Sequence, residues 1–511
     1  ARTRGGPAVG LNGVIAESAF RDNILYGAVG IASLAAGLDS EPSFANRAML
    51  AAARAYTLLF NLTIEQNLIL ATQRGISLAN LTLHLGDTRI ASNRLIGSQE
   101  VGILTNGIVL SNVMTTSRID QLSNSITTEA VGIASAGHNT RIADNDIGVL
   151  GTTDSQRLSA RHGIWLTRGV LPAPIQHAQI LSNRILGVTG DAIHIDTSIA
   201  SAMIKQNVVD ACGGGIIMTD DAEAEILDVE DNQLLNVLGA ADPNQPVAAI
   251  RVFRARQVNL SQNTILGFAL GAVAAPSRCG IEVTASNAVR VVNNSLDRIG
   301  PPEGFAKFGA GIFVLSPFDR LDVSNNRVRR SEQAVAGDSS SFVGIAVAGA
   351  TVGVRPDFDS LGVLVALGRA VFLPLTSGAT NRVMVLTNTL AKLLVRAIDR
   401  GAVRANAVES YGSASAIRVV IQGSLHLTEN LCVAQIPRAT SPAVEIDAAS
   451  AVVSNNQIER TPSNDTTVAL DLAVGNGPFT LVGNICRGGT IRVNGAPIGA
   501  PWAPLNALSF P

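Results

Sequence analysis

A chain of 511 residues with 47% hydrophobic, 4% aromatic and 15% charged content is too long for one globular core. Its excess of small aliphatics, with 48 glycines, suits a narrow layered interior that grows in one dimension. A net charge of −2 gives no electrostatic footing for nucleic acid, and no apolar run reaches the length of a membrane span.

The chain opens at Ala1 with neither a Met nor a signal-peptide pattern and reads as a processed piece of a longer protein. Phe20-Arg-Asp-Asn23-Ile-Leu25, followed by Gly30-Ile31, predicts a coil of β-structure. Ser43 to Phe60 is Ala-rich, with Phe44, Ala48, Met49, Ala52, Tyr56 and Leu59 on one helical stripe. Pro42 and Ser43 are start signals for a helix over 43–60. Residues 1–61 therefore form an N-terminal region of partial coil plus helix.

Residues 62–490 repeat a phrase: aliphatic, two variable residues, Asn, one variable residue, aliphatic. It reads Ile90-Ala-Ser-Asn93-Arg-Leu95, Ile142-Ala-Asp-Asn145-Asp-Ile147 and Ile180-Leu-Ser-Asn183-Arg-Ile185, and continues to Asn484. A second phrase places Gly or Ala before Ile and then alternates, as in Gly132-Ile133, Gly163-Ile164, Ala192-Ile193 and Gly311-Ile312. Alternation marks a strand with one buried face. Each coil thus holds two clear strands, with room for a third. The spacing from Asn to the next inward Ile predicts a fixed coil with an optional loop at one corner. At the bend the backbone needs left-handed geometry, which Asn tolerates, and its side chain can turn inward to form a ladder. The step from Asn326 to Asn388 fits two coils with one Asn missing, and Val363 to Leu375 reads as a strand pair. Residues 491–511 form a Pro- and Gly-rich tail that packs over the last coil or reaches a partner.

These residues resemble the right-handed parallel β-helix repeat family, the pectate-lyase-like superfamily. The resemblance covers residues 62–484 and implies an all-β fold, a right-handed parallel β-helix solenoid with a short helical segment near its N-terminus. Its members include polysaccharide lyases and hydrolases, phage tailspikes and adhesins, so it implies no single function.

Four cysteines remain, and no CxxC motif or Cys/His cluster is present, so neither a metal nor another cofactor is expected. Cys432 and Cys486 fall two coils apart on inward positions, roughly 9–10 Å at β spacing and too far to bridge.

The residue after each inward Ile points out, and coils stack these into a row: Ala134, Trp165, His194, Ile217, Arg251, Glu282, Phe313, Ala346. Trp165, His194, Arg251, Glu282 and Phe313 are the candidate binding face for a polysaccharide or protein partner. The competing reading packs Ile217, Phe253, Phe313 and Leu315 under a loop and pairs Arg251 with Glu282. Polygalacturonase-like members of the resembled superfamily use aspartates from adjacent coils beside a His. The matching candidates here are Asp191, His194 and Asp196 on one coil, Asp220 and Asp221 on the next, and His162 on the previous one. The Asn-Thr-Asp, Gly-His-Gly and Arg-Ile-Lys phrases of those enzymes are absent. The sequence therefore favours a structural or adhesive rod, a surface adhesin or phage-tail-like fibre or spike, over a polysaccharide hydrolase or lyase. Such a rod suits an extracellular, cell-surface or particle setting and assembly into a homotrimer or larger particle.

Overall fold

The computed structural model describes residues 7–11, 14–33, 57–79, 83–106, 118–149, 162–167, 175–239, 247–269, 277–284, 286–300, 308–315, 318–330, 342–348, 382–390, 392–397, 399–411, 415–436, 441–461, 467–499 and 503–509. They form two compact units, residues 1–233 and 234–511. Each is a parallel β-helix solenoid.

In the first unit, Asp191–Ile195, Ile199–Lys205 and Val208–Asp210 make one coil of three strands. They pair in parallel with Ile164–Leu166, Ile175–Leu181 and Arg184–Leu186 of the coil before. The second unit repeats the plan: Ser277–Thr284, Ala288–Val292 and Ser295–Ile299 pair with Phe308–Leu315, Arg320–Ser324 and Arg327–Arg330. In its later coils the first two strands fuse, as in Ile417–Thr428.

The core is a set of stacked columns. Ile31, Ile76, Ile103, Ile133, Ile164 and Ile193 occupy one inward column and are each fully buried. Identical side chains at successive rungs of about 4.8 Å stack directly on one another. The small residue before each Ile is required by a close approach: a Cβ at Gly102 would sit 2.7 Å from the Gly132 carbonyl oxygen of the next coil.

Among the described residues the ladder runs from Asn23 to Asn232 in the first unit and from Asn263 to Asn506 in the second. Asn145 shows the scheme. Its Oδ1 accepts from the backbone N–H and the Nδ2 of Asn124 at 2.9 and 3.0 Å. Its Nδ2 donates to the Gln121 carbonyl and to Asn183 Oδ1, both at 2.9 Å, and its backbone N–H donates to the same Oδ1 at 3.1 Å. The left-handed residue is the one before each ladder Asn, and not the Asn itself as expected. Ser92, Asp144, Ser182, Gln206, Asn293, Asn325 and Ala405 all have φ between 50° and 60°. The Asn is selected for its carboxamide, which donates and accepts at once. Its neighbour carries the backbone cost, which is why that position varies. Ala405→Gly, at φ 53°, is expected to stabilise the second unit by about 1 kcal/mol. A higher guanidinium midpoint at unchanged slope would register the gain.

The break between Asn326 and Asn388 is not a missing rung. Asn326 Nδ2 donates directly to Asn388 Oδ1 at 3.0 Å, and Arg320–Ser324 pairs with Arg382–Leu386. The 62-residue step is one coil with a long insertion, and the expected strand pair over Val363–Leu375 lies outside the described residues. Extra chain enters at two corners rather than one. It falls before the first strand, between Phe268 and Ser277, and after it, between Leu166 and Ile175 and between Ala348 and Arg382.

The β-structure expected near Asn23 is present: Asn23 Nδ2 donates to Asn67 Oδ1 at 2.9 Å, and Pro7–Leu11 pairs with Val29–Ser33. Of the helix expected over 43–60, residues 43–56 lie outside the described residues. Thr57–Phe60 is a strand, held between Val14–Ala16 and Leu83–Leu85 with Leu59 fully buried. The tail continues the solenoid. Ala507–Ser509 pairs with Ile485–Arg487, and Asn506 Oδ1 accepts from Asn484 Nδ2 at 2.9 Å. No described helix is long and apolar enough to cross a membrane. All four cysteines are free and buried, and Cys432 and Cys486 stand on either side of Ile458 in one column. Burial pushes both of these thiols up to about 12.

Candidate functional site

The first unit brings His162, Trp165, Asp191 and His194 together on the outward side of its first-strand stack. Trp165 and His194 are register partners, as the outward row requires. Strict alternation does not place His162 and Asp191 beside them. The reason lies in the Gly-Ile and Ala-Ile phrases. Ala192 and Ile193 are both fully buried, so the outward face skips from Asp191 to His194. The same skip at Gly163 and Ile164 sets His162 beside Trp165. A small residue immediately before an inward Ile was the signal for this.

His194 Nδ1 donates to Asp191 Oδ2 at 2.7 Å, which puts a proton on Nδ1 and fixes the orientation of the ring. The Asp191 backbone N–H donates to His162 Nδ1 at 3.2 Å, so His162 is neutral with its proton on Nε2. The two imidazoles stack, with centroids 4.0 Å apart and planes 24° apart. The Trp165 ring lies 5.8 Å from His162 and 6.3 Å edge-on from His194. Its indole N–H is buried and has no acceptor among the described residues. Gly214, the register partner of Asp191, makes room for the carboxylate: a Cβ there would collide with Asp191 Oδ1.

The cluster stands where an apolar strip ends. Val101, Val131 and Ala134 are buried together on the preceding coils, with Leu104 and Trp165 against them. The positions of Val131 and Ala134 on one coil are those of His162 and Trp165 on the next and of Asp191 and His194 on the one after.

Burial lowers the His162 pKa to about 4, the nearby His194 adds to this, and the Asp191 carboxylate opposes it. A folded-state value below the ordinary 6.5 makes the neutral form the stabilising one. That contribution is complete above about pH 6.5 and is lost as pH falls toward 4. About 3 kcal/mol is at stake across this window. His162→Gln is expected to flatten the decline of unfolding free energy between pH 6.5 and 4, measured by guanidinium titration at each pH.

Ligand atoms of His162, Asp191 and His194 all lie within 4.8 Å of one another, the spacing a metal site needs. Ligation by all three would require the two stacked rings to move apart, since a metal lies in the plane of each imidazole it binds. Asp191 links the two rings, through its carboxylate to His194 and through its backbone N–H to His162. Asp196, two residues beyond His194, and the exposed turn residues Asp220 and Asp221 are not part of this three-residue group.

The other face candidates belong to the second unit. Arg251 Nε meets Glu282 Oε2 at 3.0 Å between register partners, with side-chain exposures of 13% and 0%. Phe313 is buried among Cys279, Ala310, Leu315, Val343 and Ala346. Ile217, Phe253 and Leu315 are buried as well. Glu282 and Phe313 therefore offer no surface, and the outward row of this unit is an interior layer at that point. No protein-family model matches the chain, and comparison with curated proteins and with solved structures finds none that matches it.

Proposed function

We propose that the chain is a structural or adhesive β-helix rod whose working surface is the patch of His162, Trp165, Asp191 and His194, and that this patch binds a polysaccharide or a protein partner. The observation that carries the reading is the 2.7 Å Asp191–His194 bond beside a partly exposed Trp165, on positions that the apolar Val131 and Ala134 fill two coils before Asp191 and His194. A polar pair beside an aromatic face suits a sugar ring, whose hydroxyls take the hydrogen bonds while its C–H face covers the indole. An adhesin or fibre of this kind works outside the cell or on a particle, alone or as a homotrimer.

A second reading has its own support. A carboxylate that orients an imidazole is the arrangement of a general base, so the same cluster would serve a polysaccharide lyase or hydrolase of the pectate-lyase-like superfamily. Against it, the three-residue cluster holds one carboxylate where paired-carboxylate hydrolysis uses two. A glycan microarray run beside a product-release assay on uronic-acid polymers separates the readings. The rod predicts binding without product, and binding weakened at least tenfold by Gly214→Ala, which displaces the Asp191 carboxylate without removing a polar group. Product formation that disappears in Asp191→Asn would replace the rod with the enzyme.

A further inference from the structure

The second unit carries a charge pattern that breaks the rule followed elsewhere. Among the described residues, charges directly opposed on neighbouring rungs are mostly of opposite sign. Arg21 opposes Glu65, Asp120 opposes Arg141, Lys205 opposes Glu230 and Arg418 opposes Glu445. Glu445 and Asp471 do oppose each other, but Arg418 and Arg492 flank them in the same row. Arg320, Arg382 and Arg400 are opposed on three successive rungs, and all three are exposed. Arg382 reaches Asp399 at 3.6 Å. Arg320 and Arg400 make no ion pair among the described residues. Like charges directly opposed in a sheet are destabilising, and a fold that alternates sign elsewhere has no packing reason to stack three cations.

We propose that the row of Arg320, Arg382 and Arg400 binds a linear anionic glycan laid along the solenoid axis, with carboxylate or sulfate groups meeting successive guanidinium forks. The rungs repeat at about 4.8 Å, comparable to the length of one sugar residue. Arginine gives each anion a two-pronged contact, which a lysine ammonium does not. The inference stands on the register of the second unit and does not depend on the Trp165 patch, so either can fail alone.

The test uses the full chain with dextran sulfate, polygalacturonate, unsubstituted dextran and poly-dT single-stranded DNA, each titrated at low salt and again at 0.5 M salt. At least one of the two anionic glycans should bind and be released by salt, and which one binds identifies the anion. Unsubstituted dextran should not bind. Arg320→Ala with Arg400→Ala should weaken binding at least tenfold with an unchanged circular dichroism spectrum. Asp399→Asn should tighten it several-fold by releasing Arg382, a gain that a structural role for the row would not produce. Unchanged affinity in the double variant would overturn the proposal. So would poly-dT binding as tightly as either glycan, which would assign the row to nucleic acid instead.

Discussion

Asn145→Ala is expected to lower the stability of the first unit by about 4 kcal/mol. The residue is 1% exposed and all of its side-chain hydrogen-bonding capacity is used. Removing the carboxamide strands the Asn124 backbone N–H, the Asn124 side-chain amide, the Gln121 carbonyl and one contact to Asn183 in an interior closed to water. Each stranded buried group costs about 1–3 kcal/mol. Asn145→Asp separates donor from acceptor: it can still accept from Asn124, but it faces Asn183 Oδ1 with no proton to give. Both variants should be severe, whereas Arg184→Ala, exposed on the next coil, should stay within about 0.5 kcal/mol of the parent. Guanidinium unfolding followed by far-ultraviolet circular dichroism measures all three. A mild loss for Asn145→Ala would mean that the ladder records the coil rather than holds it.

Arg251→Met is the second severe change. Glu282 has no exposed side-chain area, and Arg251 meets it at 3.0 Å. Removing the guanidinium takes from a fully buried carboxylate its partner at 3.0 Å, at a cost of about 3–5 kcal/mol. The double replacement Arg251→Met with Glu282→Gln should recover much of that loss, because the charge that must be buried is gone. The same unfolding experiment reads both. If the single variant were no worse than the double, the pair would not be acting as a buried ion pair.

The architecture was legible because its signals repeat. The phrase around Asn93, Asn145 and Asn183 returns at every coil, and a ladder of identical side chains admits one stacking arrangement. The inward Ile column and the Trp165–His194 and Arg251–Glu282 partnerships followed from period-2 alternation in one register. Asp191 and His194 face the same way because Ala192 and Ile193 are both buried, a local skip that strict period 2 does not contain. The left-handed residue precedes the Asn rather than being the Asn, because tolerance of that geometry is a weaker constraint than the ladder's need for a carboxamide. The 62-residue step looked like two coils because length alone cannot separate an insertion from a turn of the solenoid. Phe313 and Glu282 were outward by parity yet buried, since parity gives direction and not what lies over it.

The most direct test of the Trp165 patch is the emission of Trp165 in a Trp502→Phe background, where it is the sole tryptophan, during titration with a glycan or protein whose binding survives Arg320→Ala with Arg400→Ala. A binding patch at Trp165 should give a saturable change in emission whose midpoint matches the binding curve, moved at least tenfold by Asp191→Asn. Binding of full affinity that leaves the emission of Trp165 untouched, or that survives Asp191→Asn unchanged, would contradict it.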